Sequence, residues 1–303
     1  MVAIDAAVLG RVGIDLYPNE LRTPLRQVRT YTRYVGGFAA NVATGMARLG
    51  LKPAIVSRVG PESHGEFVRD FLSAEGVDVR FLAVDEHLNT PPTFCEVWPP
   101  DRFPITFYRY PTAPDWQLCG ADFDAQEVAD TPFLLATGTG LAQSPSRETT
   151  LDALRTHRGT TIFDLDWRPA LWEDAKEYAR LAQEAAAAAD IVIGNEEEVE
   201  AAAGAPERFL ALGATTVVVK RGENGAQLIH DGATADVPGH PAEVVNGLGA
   251  GDAFLAAFVH GLHTGRSLEE SVRRGSVAGA IVASHLACSE AMPRLDELEA
   301  ELA

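Results

Sequence analysis

The sequence predicts an α/β protein: a doubly wound, mainly parallel sheet flanked by helices, with a small β-sheet beside it. Short apolar runs alternate with helical patterns along most of the chain. These runs are continuously apolar, as parallel strands covered on both faces must be. Two further segments are rich in β-forming residues and are not followed by a helix. With 303 residues, we expect one domain spanning 1–303.

The individual elements follow from the same pattern. Helices are predicted over 38–50, 63–76, 151–159 and 174–189. The second of these has Ser63 three residues before Glu66, which is typical of a capping box, and the first two end at a glycine. Strands of the main sheet are predicted at 6–10, 53–60, 133–138, 161–166, 190–195 and 215–220.

The small sheet is predicted from two segments, about 12–35 and 90–112. The first contains QVRTYTRYV, in which β-type residues alternate, and the second has a hairpin that turns between Pro99 and Pro104. A small sheet of this kind has an exposed apolar face. We expect a ligand or a partner subunit to cover it.

Composition excludes several classes of function. The net charge is −18 and no basic stripe is present, which argues against nucleic-acid binding. The three cysteines show no CxxC spacing, so neither a disulfide framework nor a zinc site is expected. Charged residues near the start do not fit a signal peptide, and no apolar run reaches the ~20 residues of a membrane span. We therefore expect a cytoplasmic protein that binds no membrane.

The stretch NGLGAGDAFLAAFVHGL, residues 246–262, places three glycines and Asp252 at the start of an apolar helix. A dinucleotide fingerprint would need glycine in place of Asp252, and a Walker loop would need GK[ST]. A helix N-terminus made of glycines can bind an anion, and a carboxylate beside it would repel that anion unless it accepts a proton. This combination favours phosphoryl transfer to an alcohol. A turn that only permits tight packing is the alternative.

The same stretch resembles the catalytic signature of the ribokinase-like (PfkB) carbohydrate kinases. Three further motifs resemble that family in the same order along the chain: VGGFAANVATGMARLG (35–50), GNEEEVE (194–200) and KRGENGA (220–226). The resemblance implies a ribokinase-like fold and an ATP-dependent carbohydrate kinase. It also implies that the small sheet is a lid that closes over the substrate, and that a homodimer can form through this lid.

The resemblance assigns roles to individual residues. Asp252 would be the catalytic base, and the backbone of Gly249, Ala250 and Gly251 would form the anion hole. Mg²⁺ would be bound through water by Asn195 and Glu198. The sugar would be bound by Asp15, Gly36, Gly37 and Asn41, and ATP by Lys220, Gly222, Gly225 and Asn195.

Four longer stretches narrow the expected substrate: GRVGIDLYP, TPPTFCEVWPPDRFPITFYR, FDLDWRPALW and CSEAMP. They resemble family members of myo-inositol catabolism that phosphorylate the terminal hydroxyl of a keto-deoxy sugar acid. This implies 5-dehydro-2-deoxy-D-gluconate as the substrate, with 2-keto-3-deoxygluconate or another sugar as the alternative. Arg109 and Arg168 would contact the substrate, since a guanidinium pairs with a carboxylate through two parallel hydrogen bonds. Arg33 and Tyr108 are further candidates on the lid.

The chain also departs from the family pattern. Many relatives have Asp-Thr shortly before the GAGD motif, at a monovalent-cation site, whereas Asn246-Gly247 stands here. A K⁺ site would therefore lack its acidic side chain, leaving backbone carbonyls only. Ser276 occupies a position where the family often has Asn beside the adenine.

Two alternatives remain from the residues themselves. His260 and His263 are one helical turn apart, but no third ligand is near in sequence, so the end of a buried helix is expected rather than a metal site. A sugar-binding regulator without activity would be a different class of protein. The intact Asp252 with its glycines argues against that class.

Overall fold

The computed structural model describes residues 3–303, and its strands form two β-sheets. The larger has nine strands in the order β13-β12-β11-β10-β9-β8-β1-β4-β5, and the smaller has four in the order β3-β2-β6-β7. In chain order the strands are β1 Ala6–Leu9, β2 Gly13–Pro18, β3 Tyr31–Gly36, β4 Pro53–Val59, β5 Leu82–Val84, β6 Pro92–Cys95, β7 Ile105–Phe107, β8 Phe133–Thr137, β9 Thr160–Asp164, β10 Ile191–Asn195, β11 Thr216–Lys220, β12 Ala226–His230 and β13 Ala233–Val237.

The larger sheet is parallel from β5 across to β11 and ends in the antiparallel pairs β11–β12 and β12–β13. Register aligns the strand ends: Thr137 pairs with Asp164, and Asn195 pairs with Lys220. Because the carboxyl ends of parallel strands lie at one edge, the residues that follow them converge there. The fold class predicted from the sequence is confirmed.

Helices cover both faces of the larger sheet and produce two apolar layers. The helices are α1 Phe38–Arg48, α2 Ser63–Ala74, α3 Ala125–Ala129, α4 Ser146–Thr156, α5 Ala175–Ala186, α6 Glu196–Ala203, α7 Glu207–Leu212, α8 Ala250–His263, α9 Leu268–Ala283 and α10 Leu295–Leu302. On β1, Ala6 and Val8 belong to one layer, which includes α1, α8 and α9, and Ala7 and Leu9 belong to the other, which includes α5. Within residues 3–303, no helix is long and apolar enough to cross a membrane.

Some local expectations need correction. The six predicted strands form within two residues of their expected ends, but α4 begins at Ser146, five residues before the predicted start. The predicted capping box at Ser63 is wrong. Glu62 is the N-cap residue of α2, and its Oε1 accepts a hydrogen bond from the backbone of Thr90 instead of capping the helix.

The smaller sheet combines both segments predicted for it. Strands β2 and β3 form an antiparallel pair, β6 runs parallel to β2, and β7 returns antiparallel to β6. Trp98 and Arg102 form a bridge at the turn of the second hairpin. Alternation along β6 directs Thr93 and Cys95 to one face and Phe94 to the other.

Candidate active site

A pocket lies between the two sheets, at the edge where the parallel strands of the larger sheet end. Its walls come from the loops after β1, β8 and β9, one face of the smaller sheet, and the first turns of α1 and α8. Ligands of open α/β sheets bind at this edge. The charged and amide side chains that line the pocket are Arg11, Asp15, Asn41, Asp166, Arg168 and Asp252.

Helix α8 begins at the pocket with a glycine in place of a side-chain cap. Gly249 is the N-cap residue, has a φ of +82° and provides no capping hydrogen bond. A Cβ at Gly249 would lie 2.8 Å from Sγ of Cys288, so both the backbone angle and the space require glycine. The first turn of α8, which includes Ala250 and Gly251, thus offers backbone N–H groups and the positive end of the helix dipole.

Asp252 lies in this first turn and lines the pocket. Its Oδ2 accepts a hydrogen bond of 2.7 Å from Nδ2 of Asn41. Burial raises the pKa of Asp252 to about 7, and the nearby carboxylates of Asp164 and Asp166 act in the same direction. A carboxylate with this pKa can accept a proton near neutral pH, which suits a general base.

Asn41 is itself held in place. Its backbone N–H bonds to the carbonyl of Gly37 in the first turn of α1, and its Oδ1 accepts a hydrogen bond of 2.5 Å from Oγ of Ser289. Ser289 is fully buried. A chain of two side-chain hydrogen bonds therefore runs from Ser289 through Asn41 to Asp252. It fixes the amide so that its NH₂ group faces the carboxylate.

Four charged side chains form two ion pairs beside Asp252. Lys220 Nζ lies 3.1 Å from Oδ2 of Asp164, and Arg168 Nε lies 2.9 Å from Oδ1 of Asp166. Burial raises the pKa of Asp164. Burial acts in the same direction on Asp166, but the charges of Arg168 and Lys220 and the hydrogen bonds from Thr137 and Thr139 together outweigh it and lower the pKa. Arg168 remains 41% exposed, so it can reach a ligand while keeping its partner.

The expected sugar-binding residues lie opposite, and their packing explains the paired glycines. A Cβ at Gly36 would lie 2.1 Å from Oδ2 of Asp15, and a Cβ at Gly37 would lie 2.5 Å from the carbonyl oxygen of Arg11. The two glycines therefore make room for Asp15 and for the backbone of Arg11. Oδ1 of Asp15 is 3.3 Å from Nη2 of Arg11, and burial raises the pKa of Asp15.

Asn195 and Glu198 are joined by a capping box at the start of α6. Oδ1 of Asn195 accepts from the backbone of Glu198, and Oε2 of Glu198 accepts from the backbone of Asn195. Burial raises the pKa of Glu198, which is 6% exposed. Neither side chain lines the pocket described above. Gly222 and Gly225 lie at the short turn between β11 and β12, beyond Lys220.

Arg109 is not at the pocket surface. Its side chain is 1% exposed, Nη2 lies 2.7 Å from Oδ2 of Asp115, and the guanidinium carbon is 3.9 Å from the ring centre of Trp116. Nε and Nη1 have no hydrogen-bond partner in the described part of the chain. In this arrangement Arg109 does not line the pocket, because Asp115 and Trp116 hold the guanidinium inside the protein, and its contact with the substrate stays a prediction.

The other lid candidates also lie away from the pocket. Arg33 stacks on Phe67, with 3.8 Å from the guanidinium carbon to the ring centre, and approaches Nδ1 of His64. Tyr108 is 61% exposed, and its ring packs against Phe94 on the face of the smaller sheet that points away from the pocket.

Three more residues that the sequence singled out lie outside the pocket, and two of them, His260 and Asn246, have side-chain partners. His260 is buried, 3.4 Å from Nη2 of Arg274, and burial lowers its pKa to about 4, as expected for a helix end rather than a metal site. Asn246 is fully buried, and its side chain bonds to the carbonyl of Leu286 and the backbone N–H of Leu248. Ser276 lies on α9, partly buried.

Sequence reasoning missed several residues of the site. Asp164 and Asp166 end the predicted strand TIFDLD, and their position after a strand was a usable signal. Arg11 likewise follows the first strand. Thr139 also follows directly on the strand predicted at 133–138. Cys288 follows no predicted strand, and only tertiary packing brings it to the pocket.

Among residues 3–303, no three His, Cys, Asp or Glu side chains are grouped so that they could hold a metal ion by themselves. Mg²⁺ in phosphoryl-transfer sites is usually bound by one or two carboxylates, water and substrate phosphates. The buried carboxylates here fit that pattern. Burial raises the pKa values of Asp252 and Glu198, and the neighbouring carboxylates of Asp164 and Asp166 act in the same direction, so a nearby cation would favour the charged forms.

The fold and the site together indicate a kinase: a pocket lies at the carboxyl edge of the sheet, the N-terminus of α8 reaches it, and the buried carboxylate of Asp252 lies beside that N-terminus. The chain belongs to the pfkB family of carbohydrate kinases, whose family model matches residues 3–295.

Named relatives resemble the chain over almost its whole length. It is 36% identical to 5-dehydro-2-deoxygluconokinase from Shouchella clausii, over 98% of this chain and 94% of that protein. It is 33% identical to 5-dehydro-2-deoxygluconokinase from Clostridium tetani, over 98% and 92%. Among solved structures, a fructokinase from Vibrio cholerae O395 with bound fructose, ADP and calcium superposes with a TM-score of 0.88, at 25% identity over 99% of this chain and 100% of the other.

Proposed function

We propose that this kinase transfers the γ-phosphoryl group of ATP to the terminal hydroxyl of 5-dehydro-2-deoxy-D-gluconate. The observation that carries the substrate assignment is the full-length similarity to relatives with that name. The pocket supports it, since Arg11 and Arg168 line it and arginines recognise carboxylates. Phosphorylation of this sugar acid would place the enzyme in inositol catabolism.

In the proposed reaction, Asp252 accepts the proton of the acceptor hydroxyl as its oxygen attacks the γ-phosphorus. A new oxygen–phosphorus bond forms, the bond to the β-phosphate oxygen breaks, and ADP leaves. Negative charge on the transferred group is stabilised by the N–H groups of Gly249, Ala250 and Gly251 at the start of α8. Asp252 later releases its proton to water.

The remaining roles are proposed from the positions of the residues around this step. Arg168, paired with Asp166 and still 41% exposed, would contact the substrate near the transferred phosphoryl group. Lys220, near Gly251 and paired with Asp164, would balance the carboxylates behind it. Asp15, which lines the pocket, would accept hydrogen bonds from sugar hydroxyls. ATP would be bound beyond Lys220, along the turn with Gly222 and Gly225.

Mg²⁺ would be held through water by Asn195 and Glu198 and directly by phosphate oxygens. When bound, the ion neutralises phosphate charge. The carboxylate of Glu198 already accepts a hydrogen bond from the backbone of Asn195. It would therefore act on the ion through a bound water and would not be a direct ligand. A K⁺ requirement stays a prediction, and here it would depend on backbone carbonyls, because the side chain of Asn246 is occupied.

We further propose that the smaller sheet acts as the lid of one domain, with segments 12–35 and 90–112 closing over the acceptor to exclude water. Its inner face contributes Asp15 and Thr93 to the pocket. On its outer face, the rings of Tyr31 and Tyr108 flank Phe94 at 5.4 and 5.3 Å between centres. A homodimer through this face is the proposed assembly. Sedimentation of the wild type and of Tyr108→Glu tests this assembly. A dimeric wild type and a weaker dimer in Tyr108→Glu are expected, and a monomeric wild type would contradict the proposal.

The substrate proposal is tested by ADP release with Mg²⁺ and ATP, comparing 5-dehydro-2-deoxygluconate, 2-keto-3-deoxygluconate, fructose and ribose. The highest kcat/KM is expected with the first acid, and Asp252→Asn should remove turnover. Preference for 2-keto-3-deoxygluconate would favour the alternative sugar-acid kinase, and preference for fructose or ribose a neutral-sugar kinase. Binding of a sugar without turnover would favour a regulator.

A further inference from the structure

We propose that Arg11 is the residue that binds the carboxylate of the acceptor and so makes the kinase selective for a sugar acid over a neutral sugar. The inference rests on the proposed function, because it names the group that recognises the acid end of that substrate. Three observations support it: a fixed backbone, a guanidinium with unused donors, and the engagement of the other arginines near the pocket.

The backbone of Arg11 is held where β1 leaves the larger sheet. Its carbonyl oxygen accepts a hydrogen bond of 3.1 Å from the backbone of Ala39, at the start of α1. Gly37 leaves the space that this carbonyl occupies. Arg11 lies in the short loop between β1 and β2, and this hydrogen bond ties the loop to the start of α1. The side chain therefore leaves from a fixed point between the two sheets.

The guanidinium of Arg11 is oriented by the smaller sheet. Nη1 donates to Oγ1 of Thr93 on β6 at 2.9 Å, and Nη2 donates to Oδ1 of Asp15 on β2 at 3.3 Å. Its carbon lies 5.7 Å from the ring centre of Phe107 on β7. A guanidinium has five N–H donors, and these contacts use two. The remaining donors suit a carboxylate in the pocket, to which the side chain, 12% exposed, is open.

The charges around Arg11 keep it available as a cation. Burial alone would favour loss of its proton, but the carboxylates of Asp15, Asp115 and Asp166 outweigh burial and raise its pKa. The ion pair with Asp15 is long, at 3.3 Å, so a substrate carboxylate can compete for the same donors. Asp15 would then be free to accept a hydroxyl of the sugar.

The other two arginines are engaged elsewhere. Arg109 is enclosed by Asp115 and Trp116 and does not line the pocket. Arg168 lines the pocket but is paired with Asp166, and its pKa is raised by Asp166 and also by Glu198, Asp252 and Asp164. Asp164 is the partner of Lys220, so Arg168 lies near Lys220 and the proposed phosphate groups. A six-carbon acceptor with its terminal hydroxyl at Asp252 would thus have its acid end directed to Arg11.

The test compares Arg11→Lys, Arg11→Met and Arg109→Met in turnover of 5-dehydro-2-deoxygluconate and of fructose. Arg11→Lys keeps a cation beside Asp15 but loses the planar pair of donors, which makes it the informative variant. We expect the ratio of kcat/KM for the acid over fructose to fall at least tenfold in Arg11→Lys and further in Arg11→Met, mainly through KM for the acid. Equal losses on both substrates, or a larger fall of the ratio in Arg109→Met, would overturn the proposal.

A binding experiment separates this inference from the substrate assignment. D-Gluconate and D-glucitol differ in having a carboxylate or a CH₂OH group at one end, and their dissociation constants are measured by calorimetry. If the wild type prefers gluconate and Arg11→Lys loses that preference, Arg11 binds carboxylates even where turnover identifies another acceptor. If gluconate and glucitol bind the wild type equally, or Arg11→Lys keeps the preference, Arg11 is not the carboxylate site. Melting temperatures of each variant confirm that it is folded.

Discussion

Nδ2 of Asn41 donates a hydrogen bond of 2.7 Å to Oδ2 of Asp252, joining the first turns of two helices whose residues lie 211 positions apart in the chain. The bond stabilises the charged form of the carboxylate, whereas burial and neighbouring carboxylates oppose it. Asn41 therefore affects both where the proposed base lies and at what pH it can accept a proton.

Asn41→Ala should raise the pKa of Asp252 by about one to two units, since a hydrogen bond to a charged group contributes roughly 1.5–3 kcal/mol. The acidic limb of the pH profile of kcat/KM is then expected to move to higher pH. The profile is measured from pH 5.5 to 9 for variant and wild type. An equal loss of activity at every pH would mean that Asn41 binds the sugar without influencing the base.

Ser289→Ala should weaken the chain of hydrogen bonds from Ser289 through Asn41 to Asp252 at its far end from the carboxylate. Oδ1 of Asn41 would lose its buried donor, so we expect a decrease of about 1–3 kcal/mol in the free energy of unfolding and a smaller upward shift of the acidic limb than in Asn41→Ala. Ser284→Ala is the matched control, because its hydroxyl bonds only locally, to the carbonyl of Ile281 and Nδ1 of His285. Urea unfolding and the pH profile measure both effects, and equal results for the two variants would contradict the prediction.

Asp252→Asn should lower kcat by about 10²–10⁴-fold, the usual contribution of a positioned general base. In the wild type, kcat/KM should fall as the pH decreases through about 7, because the protonated carboxyl cannot accept the hydroxyl proton. The variant should show no such limb in its residual activity. A variant within tenfold of the wild type would exclude Asp252 as the base.

The same substitution should stabilise the fold at neutral and alkaline pH. A pKa of about 7 in the folded state lies above the ordinary value, so the native protein binds more protons than the unfolded chain between about pH 4 and 7. Stability from this group is present at low pH and lost as the pH rises through 7. Asn carries no charge and can still accept the bond from Asn41, so the melting temperature of Asp252→Asn should exceed that of the wild type at pH 8 but not at pH 4. The same difference in melting temperature at pH 4 and at pH 8 would contradict the raised pKa of Asp252.

Gly249→Ala should destabilise the protein and impair turnover together. The φ of +82° costs a non-glycine residue about 1–2 kcal/mol, and the new Cβ would lie 2.8 Å from Cys288. Gly265→Ala is the control, since Gly265 has a φ of +73° and open space at its Cβ. Both variants should lose stability in thermal unfolding, but only Gly249→Ala should lose kcat. A similar kcat in the two variants would show that Gly249 is not part of the proposed anion hole.

Much of the fold could be predicted from the sequence, because its signals are local. Continuous apolar runs gave the parallel strands to within two residues, and the hairpin at 90–112 was visible from its prolines and β-type residues. Local patterns failed where a distant partner intervened. A capping box was predicted from Ser63 and Glu66, but Glu62 is the N-cap residue of α2, and its side chain accepts a hydrogen bond from the backbone of Thr90 instead of capping the helix.

The sequence by itself determined the class of protein, since the glycines and Asp252 at the start of α8 are contiguous and their chemistry is readable in a single stretch. Only the tertiary structure decided which charges face the pocket. Arg109 and Arg11 both belong to stretches that suggested a sugar acid, yet Asp115 and Trp116 enclose the first while Asp15 and Thr93 hold the second at the pocket. The physical reason is that a buried guanidinium must be paired, and its partner is chosen by the packing of segments that are remote in sequence.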